Sequence, residues 1–170
     1  MANITFTRRT ALTLALQSLV ARAALARTRA APFDLDAYRM PTGDTVADVL
    51  PARVGDFERE SVPATGRVPT EEALYVTYRR GAENVSVGAS IPGTLEDARE
   101  AVKTAAQETR DQLRRTNRRQ ELPRIVQDLQ GDPAYVAVGD FVAWSKGRYF
   151  LAAKSNSPRT LATFMRAMTR

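Results

Sequence analysis

Residues 92–119 read PGTLEDAREAVKTAAQETRDQLRRTNRR, and this stretch decides the fold. A Pro-Gly pair ends the preceding element, Thr94 offers a side-chain oxygen as N-cap, and Asp97 follows three residues later, as in a capping box. Small or apolar side chains then recur at alternating steps of three and four, which predicts a helix from Thr94 to about Arg119. Acidic residues crowd its first turns and arginines its last turns, which complements the helix dipole. The narrow stripe of small residues favours close packing on a sheet.

Strand patterns lie on both sides of this helix. Alternating apolar and polar residues predict two hairpins, formed by residues 73–80 with 85–91 and by residues 141–145 with 148–154. Weaker strand patterns at 57–62 and 135–138 precede them, and Pro158 opens a second, shorter amphipathic helix. We therefore expect an α+β domain, with an antiparallel sheet of about six strands and a long and a short helix on one face.

The two hairpins, each with the helix that follows it, read like copies of one unit. A shift of 66 residues places 75–104 on 141–170 without a gap, with six identities in thirty positions: Val76, Gly81, Pro92, Thr94, Leu95 and Ala101. A β-β-β-α duplication with halves 50–119 and 122–170 predicts that Val76, Gly81 and Leu95 superpose on Val142, Gly147 and Leu161. The alternative is that any two strand-turn-strand-helix units share turn and cap residues.

Composition excludes most catalytic machinery. The chain has neither histidine nor cysteine, so Ser-His-Asp and Cys-His sites and the usual zinc ligand sets are impossible. No glycine-rich phosphate loop is present, and we expect no metal and no cofactor. We expect a non-catalytic binding or accessory module; the alternative is an enzyme that uses carboxylates, Ser or Lys.

The net charge of +6 belongs mainly to the N-terminus. Residues 1–31 hold five arginines and no acid, and the remainder carries 20 basic against 19 acidic residues, which argues against nucleic-acid binding. A basic start, an apolar run over 11–20 and small residues ending in Ala24-Leu25-Ala26 are typical of a secretory signal. The apolar run is too short to be a transmembrane segment, because a bilayer crossing needs about 20 residues.

The segment Thr7-Arg8-Arg9-Thr10-Ala11-Leu12-Thr13 resembles the twin-arginine (Tat) export motif. Arg8, Arg9 and Leu12 match that motif, whereas Ala11 and Thr13 depart from it. The resemblance implies the Tat machinery as a partner and a periplasmic location. The alternative is a mitochondrial transit peptide, and thus the matrix, since acid-free segments rich in Arg and Thr are typical of that class too. We assign 1–26 to the signal, with cleavage after Ala26 or about Ala30, 27–43 to a tether or arm and 44–170 to one α+β domain.

Two surfaces are candidates for function. The first is the arginine cluster at the predicted helix end, which would suit an anionic envelope component or a protein partner: Arg110, Arg114, Arg115, Arg118 and Arg119. Its alternative is a solvated helix end. The second is the sheet face turned away from the helices, where alternation places Tyr75 and, by the copy argument, Phe141. Its alternative is that residues 33–50 cover this face.

Overall fold

In the computed structural model, the described residues are Leu35, 49–60 and 73–169. All of these residues belong to one compact unit, Ala31–Arg170. The strands are β1 (Arg53–Val54), β2 (Phe57–Arg59), β3 (Ala73–Arg80), β4 (Glu83–Ser90), β5 (Val126–Asp128), β6 (Ala134–Val138), β7 (Phe141–Lys146) and β8 (Tyr149–Ser155). The helices are α1 (Leu95–Arg115), a 3-10 helix (Arg119–Arg124) and α2 (Pro158–Met168). The predicted α+β class is confirmed.

The sheet is antiparallel, as predicted, but it has eight strands rather than about six. Its order is β1-β2-β3-β4-β8-β7-β6-β5. The prediction missed β1 and β5, which are two and three residues long and therefore too short to show a period of two. Each half of the described chain thus contributes four strands followed by a helix.

The two halves of the sheet share one register. Arg80 lies opposite Glu83 in the first hairpin, and Lys146 lies opposite Tyr149 in the second, which is the same pairing after a shift of 66 residues. Where the halves meet, Val87 lies opposite Ala153, its own counterpart under that shift. A local twofold axis perpendicular to the sheet therefore passes between β4 and β8 at this pair.

The larger core lies between α2 and one face of the sheet, which we call the α2 face. Trp144, Tyr78, Phe57 and Phe164 are fully buried there. Phe164 meets the Phe57 ring edge-on at 5.4 Å between centroids and the Tyr78 ring at 5.0 Å, an arrangement that stabilises aromatic pairs beyond simple burial.

The long helix α1 packs on the opposite face, which we call the α1 face. Val102, Ala105 and Ala106 form a second core with Ala143 of β7 and with Ala134 and Val136 of β6. Ala143 lies between Val142 and Trp144, which belong to the α2 face, and successive strand residues point to opposite faces. The expectation that both helices share one face is therefore wrong. The small side chains on α1 and β7 allow the helix to approach the sheet closely.

The two helices begin at different points of their repeats. Ser157 caps α2 and Thr94 caps α1. Under the shift of 66 residues, Thr94 lies three residues beyond the position that corresponds to Ser157. The longer connection, with Gly93 at φ +111°, lets α1 cross to the other face. Leu95 is consequently 38% exposed while Leu161 is fully buried. The predicted superposition of Leu95 on Leu161 is wrong, and the shared register is confined to the strands.

Helix α1 begins as predicted and ends four residues early. Thr94 and Asp97 form the capping box, with the Asp97 amide donating to Thr94 Oγ1 at 3.1 Å. At the other end, Thr116 donates from both its amide and its hydroxyl to the Gln112 carbonyl. Asn117 then adopts φ +57°, the left-handed conformation that ends many helices. The predicted end at Arg119 is therefore wrong, and Arg118 and Arg119 lie beyond the helix.

Candidate functional site

Among the described elements, α1 covers the α1 face over β6 and β7, and none covers it over β3 and β4, which we call the open half. Tyr75 of β3 lies on the open half with its side chain 71% exposed. Its ring rests on the neighbouring strand, because a Cβ added to Gly88 would stand only 2.7 Å from Tyr75 Cε1. Val76 and Tyr78 lie on the other face, in the α2 core. Tyr75 thus points away from α2, as the sequence predicted.

Phe141 shares this face but not this exposure. It lies on β7, points away from α2, and is half-buried against the α1 core. The sequence argument placed Phe141 on the same face as Tyr75 but assumed that no helix covered that face. Since α1 lies on it, Phe141 forms the boundary between the covered and the open halves.

Two hollows adjoin at this boundary. The first, about 340 Å³, lies over the open half, where Tyr75, Gly88 and Ala152 line it. The second, about 500 Å³, lies beside the C-terminal half of α1, where Leu113 and Arg115 line it. Phe141 and Lys154 line both hollows and lie opposite each other on β7 and β8. The two hollows therefore adjoin at Phe141 and Lys154, and we call the pair the groove of the α1 face.

The groove carries charges of both signs, and most of its carboxylates have a basic partner. Asp140 accepts from Arg118 at 3.3 Å, and Asp111 accepts from Arg114 at 3.3 Å. At the other end, Glu60 forms an ion pair with Arg79. These carboxylates already interact with arginine side chains, which favours a structural role for them over general acid-base catalysis.

The arginine cluster is less uniform than the sequence suggested. Arg110 donates to Gln127 of β5, and Arg114 is paired with Asp111. Since the helix ends at Arg115, Arg118 and Arg119 do not lie on the helical face that carries Arg110 and Arg114. In the described ranges, Arg115 and Arg119 take part in no ion pair.

Arg118 holds the turn after α1 against the sheet. It donates to Glu121 from Nε at 2.6 Å and from Nη2 at 2.7 Å, and Nη2 also reaches Asp140. These bonds raise the pKa of Arg118 and hold the pKa of Glu121 below its usual value. Arg118 therefore connects the turn after α1 to the sheet and is not a free cation. Replacing it should destabilise the domain, contrary to expectation for a solvated helix end.

Sequence reasoning missed three polar residues of the groove: Thr77, Ser86 and Lys154. They lie directly opposite one another on β3, β4 and β8. Each is next in sequence to a buried residue: Thr77 to Val76, Ser86 to Val85 and Val87, and Lys154 to Ala153. The alternation was therefore a signal for their common face. Which strands lie side by side was not readable from it.

The proposed cover for the Tyr75 face lies elsewhere, as far as its described residues go. Leu35 and Val49 are both buried in the α2 core. Phe33 and Tyr38 lie outside the described residues. Leu35 also belongs to the segment predicted as a tether or arm, which therefore reaches the core at this residue.

The export motif, with Arg8, Arg9 and Leu12, lies outside the described residues. Within the described ranges, no group of three potential metal ligands converges, and no helix has both the length and the apolar character that a membrane crossing needs. Comparisons of the chain with protein-family models, curated proteins and solved structures find no match.

Proposed function

We propose that this protein is an exported, non-catalytic binding or accessory module that holds its ligand or partner on the open half of the α1 face. The observation that carries the proposal is Tyr75, which lies on the sheet, is 71% exposed and is one of two exposed large apolar side chains among the described residues. It stands beside a groove of two joined hollows. Concave surfaces with an aromatic wall and a few polar groups are the usual form of ligand sites.

The two competing functions have weaker support. An enzyme based on carboxylates needs two acids converging on one substrate, whereas Asp111 and Asp140 each accept from a different arginine. An anion-binding ridge at the helix end needs several free cations, whereas Arg118 is fully engaged by Glu121 and Asp140. The open groove therefore ranks above both.

Two further elements of the proposal come from the sequence. The resemblance of residues 7–13 to the Tat motif supports export to the periplasm, in which case the Tat machinery is a transient partner. The shared register of the two hairpins, with Val76 and Val142 buried on the same face and Gly81 and Gly147 both at positive φ, supports a duplication of the strand unit. Its extension to the helices is dropped, because α1 and α2 lie on opposite faces.

The binding surface is testable by NMR mapping. An extract of small molecules and lipids from the producing cells is added to the 15N-labelled protein, and shifted amide signals are assigned. We expect the shifts to concentrate at Thr77, Ser86, Gly88 and Ala152, around the open hollow. Tyr75→Ser should abolish them, because it removes the aromatic wall and leaves the strand in place.

Leu95→Ser is the matched control, since Leu95 is the other large apolar side chain exposed among the described residues. It lies at the start of α1 and should leave the shift pattern unchanged. Shifts that map to the arginine cluster, or that survive in Tyr75→Ser, would refute the assignment of the open groove as the binding surface.

A further inference from the structure

A row of hydrogen-bond donors crosses the groove. Thr77 lies opposite Ser86, and Ser86 lies opposite Lys154, so three side chains on three neighbouring strands stand side by side on the α1 face. Directly opposed side chains in an antiparallel sheet have Cβ atoms about 5 Å apart. In the part of the chain that the structure describes, none of the three side chains has a hydrogen-bonding or ionic partner. The row therefore presents two hydroxyls and an ammonium to whatever enters the groove.

The surroundings of Lys154 make it an anion site within an apolar setting. Phe141 lies opposite it on β7, and Ala152 lies two residues before it on the same face. The free charges of the joined hollows are Lys154, Arg115 and Glu108, since the other acids are held by arginines. Apolar side chains next to an exposed ammonium suit a ligand that joins an anionic group to an apolar body.

The distance from the donor row to Tyr75 sets the size of the ligand. The Tyr75 ring reaches β4 at Gly88, which lies two residues from Ser86 along β4 and one strand from β8. With strands about 4.8 Å apart and about 3.3 Å per residue, the ring and the Lys154 backbone are separated by roughly 8 Å. An apolar body attached to a charged group at Lys154 must be at least this long to reach the Tyr75 ring.

We propose that the groove binds a small amphipathic carboxylic acid, with its carboxylate on Ser86 and Lys154 and its apolar body across Gly88 and Ala152 to the Tyr75 ring. Thr77 adds a third donor at the edge of the carboxylate site. This inference rests on the proposed binding function and names the ligand class for it. It assigns a role to Lys154, which the sequence analysis did not single out.

The test compares decanoate with 1-decanol, which has the same chain length without the charge. Both are titrated below their aggregation limits into 15N-labelled protein, and dissociation constants are taken from the shifts of the Ser86 and Gly88 amides. We expect decanoate to bind at least tenfold more tightly than 1-decanol. Lys154→Gln should remove that preference, and Tyr75→Ser should weaken both ligands alike.

Lys103→Gln is the control for net charge, because Lys103 lies on α1 and is paired with Glu100 at 2.9 Å, away from the groove. It should keep the preference for decanoate. Ser86→Ala is a second variant that changes the donor row without changing charge, and it should weaken decanoate selectively. Thermal melts of all variants check that each is folded.

Equal binding of decanoate by wild type and Lys154→Gln would overturn the ligand class, as would equal binding of the acid and the alcohol. The same is true if wild type shows no saturable decanoate binding. Those results leave the proposed function to its own test, since a different ligand from the extract would still shift the amides around Tyr75. If the wild-type protein also showed no amide shifts with the extract, both the ligand class and the proposed function would be refuted.

Discussion

Replacing Gly88 by Ala tests whether Tyr75 is a movable wall of the groove or a fixed part of the fold. The new Cβ would stand 2.7 Å from Tyr75 Cε1 and 3.0 Å from Cδ1, and these ring atoms are its nearest contacts. Such a contact must be relieved by movement of the ring. Because the ring is 71% exposed, it can swing outward without entering another side chain.

The expected magnitude follows from two opposing terms. Glycine in a strand costs about 0.5–1 kcal/mol relative to alanine, so the substitution gains that amount. When the ring moves outward, the third of it that is buried loses its contact with the sheet. At about 25 cal/mol per Å² of buried area, this loss costs at most about 1.5 kcal/mol. Since the ring keeps part of this contact, the change in the free energy of unfolding should lie within about 0.5 kcal/mol of zero.

The assay is urea unfolding of a double-mutant cycle. With Tyr75 already replaced by Ser, Gly88→Ala should stabilise the protein by about 0.5–1 kcal/mol, because only the glycine term remains. Gly131→Ala is the control, since its Cβ would meet the Pro133 carbonyl at 3.0 Å, a backbone atom that cannot swing away. It should be clearly destabilising.

A loss of more than about 1 kcal/mol in Gly88→Ala that persists without Tyr75 would refute this reasoning. The strain would then lie in the sheet itself, and Tyr75 would not be a movable wall.

Two other expectations concern the turn after α1 and the N-terminus. Glu121→Gln should lower the free energy of unfolding at pH 7. The bond from Arg118 lowers the pKa of Glu121, so its contribution is complete above its unfolded pKa of about 4.5 and is lost as pH falls through the lower folded value. Urea melts at several pH values should therefore show the difference between variant and wild type shrinking below about pH 4, and a constant difference would contradict the ion pair as its cause. At the N-terminus, changing Arg8 and Arg9 to Lys should leave unprocessed precursor in the cytoplasm, and normal processing by immunoblot would exclude the Tat route.

The elements with strong local signals were predictable from the sequence. The central hairpins alternate over six to eight residues, so β3, β4, β7 and β8 were found nearly to their ends. The start of α1 was found because Thr94 and Asp97 form a capping box from residues only three apart. The strands β1 and β5 were not found, since two or three residues carry no usable period.

The face on which α1 lies was not predictable from its own pattern. A helical stripe identifies the side of a helix that is buried, but it does not say which face of a sheet receives that side. Here the choice depends on three extra residues before Thr94 and on the match of small side chains between Val102 or Ala105 and Ala143. The candidate groove depends on that choice, so only Tyr75, Phe141 and the arginines were foreseen.

The partners of Arg118 were hidden for a related reason. Glu121 is near in sequence, but Asp140 lies 22 residues away at the β6–β7 turn. In the sequence, nothing sets Arg118 apart from the other four arginines of the cluster. Only the fold shows that Arg118 pairs with two carboxylates.

The pairing of β4 with β8 has a consequence for synthesis of the chain. Every other neighbour in the sheet is adjacent in sequence, whereas β4 ends at Ser90 and waits for β8, which starts at Tyr149. Throughout that interval, β4 is an open edge eight residues long that exposes the backbone groups of Ser86, Gly88 and Ser90, the kind of edge on which other chains pair. The nascent protein is therefore most vulnerable to aggregation in the second half of its translation, before β8 is synthesised and pairs with β4.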